Sequence, residues 1–309
     1  MNNPQLPNAD ITDVITAVVQ AAGEVIFGKE QQVKLALCAL FSNSHVLLND
    51  LPGVGKTTLA ITLAKLSGLD FSRIQFTSDL LPADITGVSI FNAEKQSFSF
   101  QPGPIFAGLV LVDEINRATP RTQSALLECM EEKQVSVDGI SHALPKPFFV
   151  IATQNPTEQI GTFGLPESQL DRFAMQIELG YPNAQAERQI LKHGDPREKL
   201  AKMHPVLDSH SLSAIQQTVN QCHAADALLD YLQAIIAATR NHPDIKVGYS
   251  PRAALSLLKC AKAWATIAGR SHVIPEDIKA VLPSTAHHLS TDLNHQNLVQ
   301  TLLQGVAVP

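Results

Sequence analysis

The sequence predicts an α/β fold, a parallel five-stranded sheet covered by helices, followed by a smaller all-helical domain. Five short segments read as strands, at 46–48, 73–76, 109–112, 148–152 and 175–179, and lie among segments of helical period; 46–48, 109–112 and 148–152 are continuous apolar runs. Continuous apolar strands alternating with helices are the pattern of a parallel sheet buried on both faces. The stretch NDLPGVGKTT at 49–58 joins the first run to a helical segment. Beyond Gly180-Tyr181-Pro182 the strand-like runs stop and helical periodicity takes over. The 309 residues suit two domains at about 150 each, and the change of character divides them into 1–182 and 183–309.

The elements follow in order. Asp10 is placed to cap a helix carrying Ile11, Val14, Ile15, Val18 and Val19 on one face. A second helix follows Gly28, with Val33, Ala36, Leu37, Leu40 and Phe41 at helical spacing. After the strand at 46–48 and its loop, a helix over 58–67 lines up Leu59, Leu63 and Leu66, and Gly68 stops it. Two hairpins interrupt the α/β alternation. One pairs 88–91 with 98–100; the other turns at Asp138-Gly139, a strong short-range hairpin signal. Neither is needed for the sheet core, so both read as inserts, near 85–101 and 133–146. Helices are expected in the second domain over 184–192, 211–222, 226–240, 251–268 and 275–287, with Trp264 in the core.

Composition narrows the function classes. The formal net charge is -6, whereas a duplex-binding protein carries a basic patch or a high pI. Nucleic acid is therefore disfavoured as the main partner. The four cysteines, Cys38, Cys129, Cys222 and Cys260, are far apart and form no C-x-x-C pair, so buried thiols in a reducing cytosol are expected. No basic-then-apolar leader opens the sequence and no apolar run approaches about 18 residues, which points to a cytoplasmic protein without a membrane span. Adjacent histidines such as His287 and His288 face about 100° apart on a helix and chelate poorly.

The chemistry concentrates at the carboxyl ends of the apolar runs, where open parallel sheets bind ligands. Gly55, Lys56 and Thr57 fit the core of the phosphate-loop pattern G-x-x-x-x-G-K-[ST], although Asp50 stands where its first glycine belongs. Backbone N–H groups around Gly53, Val54 and Gly55, with Lys56, Thr57 and Thr58 opening a helix, would cradle phosphate. Asp50 lies upstream of the wrapping turn and need not face phosphate. The run 109–112 leads into Asp113 and Glu114, a metal-holding carboxylate followed by a candidate base for water; strand alternation would send them to opposite sides.

Together these residues resemble the AAA+ ATPases, and DEINRATPRTQSALLECMEE at 113–132 closely resembles the MoxR family of the helix-2-insert clade. That family commonly carries an acidic residue and a proline in its phosphate loop, so Asp50 and Pro52 match it. The resemblance spans roughly 25–283. It implies ATP with Mg²⁺, with Lys56 on phosphate, Thr57 and Asp113 on the metal, and Glu114 polarising the attacking water. In IATQNP at 151–156, Asn155 takes the position of the sensor that orients that water. In LPESQLDRF at 165–173, Arg172 takes that of a finger reaching a neighbouring subunit's nucleotide, and in GYSPRA at 248–253 Arg252 takes that of the second sensor, reaching from the helical domain onto the nucleotide bound between it and the core. Ile26, Phe27 and Gly28 take the adenine-pocket positions. The resemblance further implies a hexameric homo-oligomer, a protein client remodelled or matured in a chaperone-like way, with or without metal insertion, and a partner bearing a von Willebrand factor A domain. The first insert carries one lysine, Lys95, which favours protein over threaded DNA. A nucleic-acid motor, a P-loop kinase and a binding switch without turnover are the alternatives.

Overall fold

The computed structural model describes residues 8–94, 96–156, 161–194, 196–286, 289–291 and 295–308. Two helices, α1 (Asn8–Gly23) and α2 (Glu30–Phe41), precede strand β1 (Val46–Asn49), the loop and α3 (Lys56–Leu66). Strand β2 (Phe71–Gln75) and short α4 (Pro82–Thr86) lead into hairpin β3 (Gly87–Asn92) and β4 (Ser97–Pro102). Strand β5 (Leu109–Asp113), a 3₁₀ turn (Ile115–Arg117) and α5 (Pro120–Glu132) come next, then hairpin β6 (Gln134–Val137) and β7 (Ile140–Ala143). The sheet is completed by β8 (Phe149–Gln154) and, after α6 (Glu167–Leu170), by β9 (Met175–Ile177).

All pairings in this sheet are parallel, in the order β2-β5-β8-β1-β9. Its apolar runs serve two cores because successive strand residues face opposite sides. Leu109, Leu111, Phe149 and Ile151 join one cluster, while Val110, Val112, Val150 and Ala152 join the other with Leu126, Leu127 and Met130 of α5. The first cluster also takes in α1, α2 and the C-terminal helices. The opening helices thus share a core with the end of the chain.

That C-terminal part holds α7 (Ala184–His193), α8 (Pro196–Lys202), α9 (Ser209–Gln221), α10 (Asp226–Asn241), β10 (Ile245–Val247), α11 (Pro251–Ile267), α12 (Pro275–Thr285), β11 (Ser290–Thr291) and α13 (His295–Gly305). Several expectations are corrected here. The helical part is not free of strands: β10 pairs with β11, but three and two residues are too short for a periodicity to register. Helices α8 and α13 were not anticipated; PREKLAK has no apolar stripe, and α13 is rich in polar amides. Helix α1 begins at Asn8, so Asp10 lies inside its first turn rather than at its cap. Helix α12 ends at Thr285, before 287. Trp264 is half-buried at the edge of the core rather than inside it. Lys95, His287 and His288 lie outside the described residues.

The two inserts stand side by side. Asp138 and Gly139 make the second hairpin's turn with φ of 51° and 77°, and His142 on β7 stacks on Phe100 of β4 with ring centroids 3.9 Å apart. The first hairpin exposes Phe91 and Phe98, packed edge to face across its strands.

Candidate nucleotide site

The phosphate loop runs from the carboxyl end of β1 to the first turn of α3. Gly53 and Gly55 have φ of 81° and 101°, values that L side chains adopt with strain. No heavy atom lies within 4 Å of a Cβ built on either glycine, so the loop forms an open cradle. Lys56 and Thr57 open α3 and are half-buried. Lys56 Nζ donates to the backbone carbonyls of Asp50 and, at 3.5 Å, Gln154. These acceptors hold the ammonium at the mouth of the loop, where phosphate oxygens could replace them. Asp50 is buried and does not face the cradle: Oδ1 accepts the Leu51 N–H at 2.8 Å and Oδ2 the Gly180 N–H at 2.6 Å.

Asp113 and Glu114 stand one strand beyond the neighbouring β8. Thr153 Oγ1 bridges them, accepting the Glu114 N–H at 3.0 Å and donating to Asp113 Oδ1 at 3.2 Å. Arg73 Nε donates to Asp113 Oδ2 at 2.7 Å. Glu114 has left the strand: its φ is 57°, and the 3₁₀ turn follows directly. This left-handed turn, rather than strand alternation, sets its direction. Gln75 Nε2 donates to Glu114 Oε2 at 2.8 Å, and Arg117 Nε approaches the same oxygen at 3.2 Å. Asn155 is buried just beyond the end of β8. Loop, acid pair and Asn155 therefore occupy adjacent carboxyl ends of β1, β5 and β8.

The two arginines are elsewhere. Arg172 grips Glu131 Oε2 with Nε and Nη2, both at 2.9 Å, and Arg252 Nη2 pairs with Glu131 Oε1. The guanidinium of Arg252, with that of Arg172, holds the Glu131 carboxyl below the usual carboxylate range against the opposing effect of burial. His45 fixes where this cluster lies. Its carbonyl accepts the Ala174 N–H at 2.9 Å, and its Nε2 approaches the Met130 carbonyl at 3.4 Å. His45 precedes β1 and Asp50 follows it, so about five residues at ~3.3 Å each, roughly 16 Å of strand, separate the arginines' end of the sheet from the loop's. Arg252 thus stands with Arg172 and not beside its own chain's phosphate loop. Ser250 caps α11, accepting the Ala253 N–H at 3.0 Å, and donates to Asp171 Oδ2 at 2.7 Å.

At the expected adenine segment, Ile26 is buried and Lys199 Nζ lies 4.9 Å from the centre of the Phe27 ring. Gly28 has φ of 68°, and a Cβ there would come within 3.0 Å of Ala186 Cβ on α7. Ile26 and Gly28 also line a cavity of about 670 Å³ with Ile15, Val19, Lys34 and Trp264. Sequence reasoning missed Arg73, Gln75, Thr153 and Glu131. Arg73 and Gln75 share a face of one strand by their spacing, but only the strand order brings that face to Asp113.

Comparison with known proteins shows the family. Residues 45–175 match the ATPase family associated with various cellular activities (AAA), and residues 237–301 match the AAA lid domain. The uncharacterised Bacillus subtilis protein YeaC is 45% identical over 308 residues, 97% of this chain and 96% of that protein. Chaperone MoxR1 of Mycobacterium tuberculosis is 39% identical, covering 92% of this chain and 80% of the relative. A crystal structure of a protein from Cytophaga hutchinsonii superimposes with a TM-score of 0.89 at 34% identity, over 98% and 97% of the two chains. With its phosphate loop, its acid pair and a relative of this similarity along nearly its whole length, the chain belongs to the MoxR-type AAA+ ATPases.

Proposed function

We propose that this chain hydrolyses ATP with Mg²⁺ at sites shared between subunits of a ring, and uses the cycle to remodel or mature a client protein. The observation that carries the reading is the separation just described. Phosphate loop and acid pair sit at one end of the sheet, and Arg172 with Arg252 at the other. Arginines so placed serve the nucleotide of an adjacent copy, not their own.

The groups at each end fit these roles. The open cradle at Gly53 and Gly55 admits phosphate, which would draw Lys56 Nζ away from the two backbone carbonyls, while Val54 and Thr58 complete the wrap. Thr57 and Asp113 would hold Mg²⁺, Asp113 through water, because Thr153 and Arg73 already engage both its oxygens. The metal supplies charge neutralisation along the phosphate chain when bound. Glu114, steadied by Gln75 and Arg117, accepts the proton of the attacking water, and Asn155 orients that water. Arg172 and Arg252 of the adjacent copy offset the charge that develops on the terminal phosphate, a contribution of ~10³–10⁵ in rate for such a finger. Ile26, Phe27 and Gly28 take the adenine.

A hexameric ring is the assembly we favour, with 1–182 as the catalytic unit and 183–309 as the lid. The exposed aromatics of the paired inserts suit contact with a protein client, metal insertion is one form that maturation could take, and the von Willebrand factor A-type partner belongs to the same reading. No helix among the described residues is long and apolar enough to cross a membrane; buried free cysteines suit the cytoplasm. The test is a mixing experiment. Arg172→Ala abolishes turnover while retaining nucleotide binding, and adding Lys56→Ala subunits restores some turnover at hybrid interfaces. Absence of rescue at every ratio would refute the shared site.

A further inference from the structure

The Glu131 carboxylate is the hinge of the arginine pair. It comes from the last turn of α5, Arg172 from the segment before β9, and Arg252 from the first turn of α11. Two guanidiniums converge on one carboxylate, each on its own oxygen. Without it, two like charges from different parts of the chain would repel, and two long side chains would each lose their fixed orientation. With it, one net positive charge remains. Arg172 uses its Nε and Nη2 edge on Glu131, leaving Nη1 unengaged among the described residues. Glu131, Arg172 and Arg252 are also partly exposed, with side chains 31%, 27% and 46% accessible, so an incoming anion can reach them.

We propose that Glu131 is the positioning residue that aligns Arg172 and Arg252 as a two-armed clamp for the terminal phosphate of an adjacent copy's nucleotide. This rests on the shared-site reading above. Glu131 touches neither substrate nor metal; it fixes the separation and direction of the two cations and ties the lid helix α11 to the core helix α5. Polyphosphate carries more charge than the single positive excess of the trio, so the clamp keeps Glu131 and still attracts its ligand.

The test uses the Glu131→Gln variant of the full chain, which keeps the shape and loses the charge. Nucleotide affinity, read by titration with a fluorescent ATP analogue, should stay within about twofold, because the variant's own phosphate loop is untouched, while kcat falls about tenfold through loss of charge-assisted hydrogen bonds. Mixing with Lys56→Ala subunits, whose own Glu131 clamp is intact, should raise specific activity above that of Glu131→Gln alone, since the intact arginines then face working loops. A merely structural defect would lower affinity or gain nothing on mixing. Wild-type or higher kcat in Glu131→Gln overturns the proposal, as does a defect that mixing does not relieve. If Arg172→Ala matches the wild type in the same assay, the shared-site reading itself has failed, and that outcome is distinct from a silent Glu131→Gln beside an inactive Arg172→Ala.

Discussion

Acid should loosen the sheet's amino end through a single histidine. His45 is buried between Phe148 and Phe149, with ring centroids 5.6 and 6.5 Å away. Its Nδ1 accepts the Val150 N–H at 3.1 Å, so the neutral ring carries its proton on Nε2 towards the Met130 carbonyl. Burial, with a further push from Lys133, lowers its pKa from 6.5 to about 4, against the backbone contact with Met130. Charging the ring in the folded state would also cost the Val150 hydrogen bond. The folded pKa is depressed, so the unfolded chain binds the proton first. The stability His45 contributes is complete above pH 6.5 and is lost as pH falls towards 4. The difference between those two values corresponds to about 3 kcal/mol, of which about 2 kcal/mol is gone by pH 5. Urea unfolding of the wild type and of His45→Gln at pH 7.5 and pH 5 measures it. The wild type should lose about 2 kcal/mol more than the variant between the two conditions. Equal losses would refute the assignment.

Three further outcomes are expected. Glu114→Gln should bind ATP normally and lose turnover by roughly 10²- to 10⁴-fold, the range of a general base, read by coupled phosphate release; a fully active variant removes Glu114 from that role. Asp50→Gly, which restores the usual loop glycine, should destabilise rather than improve the protein, by about 1–3 kcal/mol in urea, because it orphans the Gly180 and Leu51 N–H groups. Arg270→Ala leaves Asp277, 1% exposed, without the guanidinium that reaches its Oδ2 at 2.6 Å, and should cost about 3–5 kcal/mol in the same assay; a loss below about 1 kcal/mol would show that the pair is dispensable.

Much of this architecture was legible because its signals are local. An apolar run of four or five residues reports a buried strand wherever it pairs, and Gly-Lys-Thr at a strand-to-helix turn reports a phosphate cradle without knowledge of the rest. Asp138-Gly139 gave its hairpin for the same reason. What stayed hidden depends on strand order and on long-range convergence. Nothing near Arg73 in sequence marks Asp113 as its partner; the two meet because β2 lies beside β5. Glu131 looks like a solvated acid at a helix end until Arg172 and Arg252, 41 and 121 residues away, arrive from different elements. Glu114 shows the limit of local rules in the opposite sense: alternation is sound inside β5 and ends one residue too early to describe it.

Asp50, the oddity of the phosphate loop, has a physical role once its partners are known. The usual glycine there provides only backbone freedom. The carboxylate instead links the loop's first N–H to that of Gly180, on the segment that leads out of the sheet to α7. Lys29 Nζ donates to the Tyr181 carbonyl at 2.8 Å, and Gly28 packs against the first turn of α7. The loop, the segment around Gly28 and Lys29, and the start of the helical part are therefore joined at the carboxyl end of the sheet. At the amino end, Asp171 with Ser250, and Glu131 with Arg172 and Arg252, join the same two parts again. A helical part held to the core at both ends of one short sheet has little freedom to move alone. On the proposed shared-site reading, a nucleotide that displaces Lys56 from the Asp50 carbonyl would pull on the first junction, and a neighbour's phosphate would pull on the second. On that reading, nucleotide binding and subunit contact would then act on the same two junctions between core and helical part.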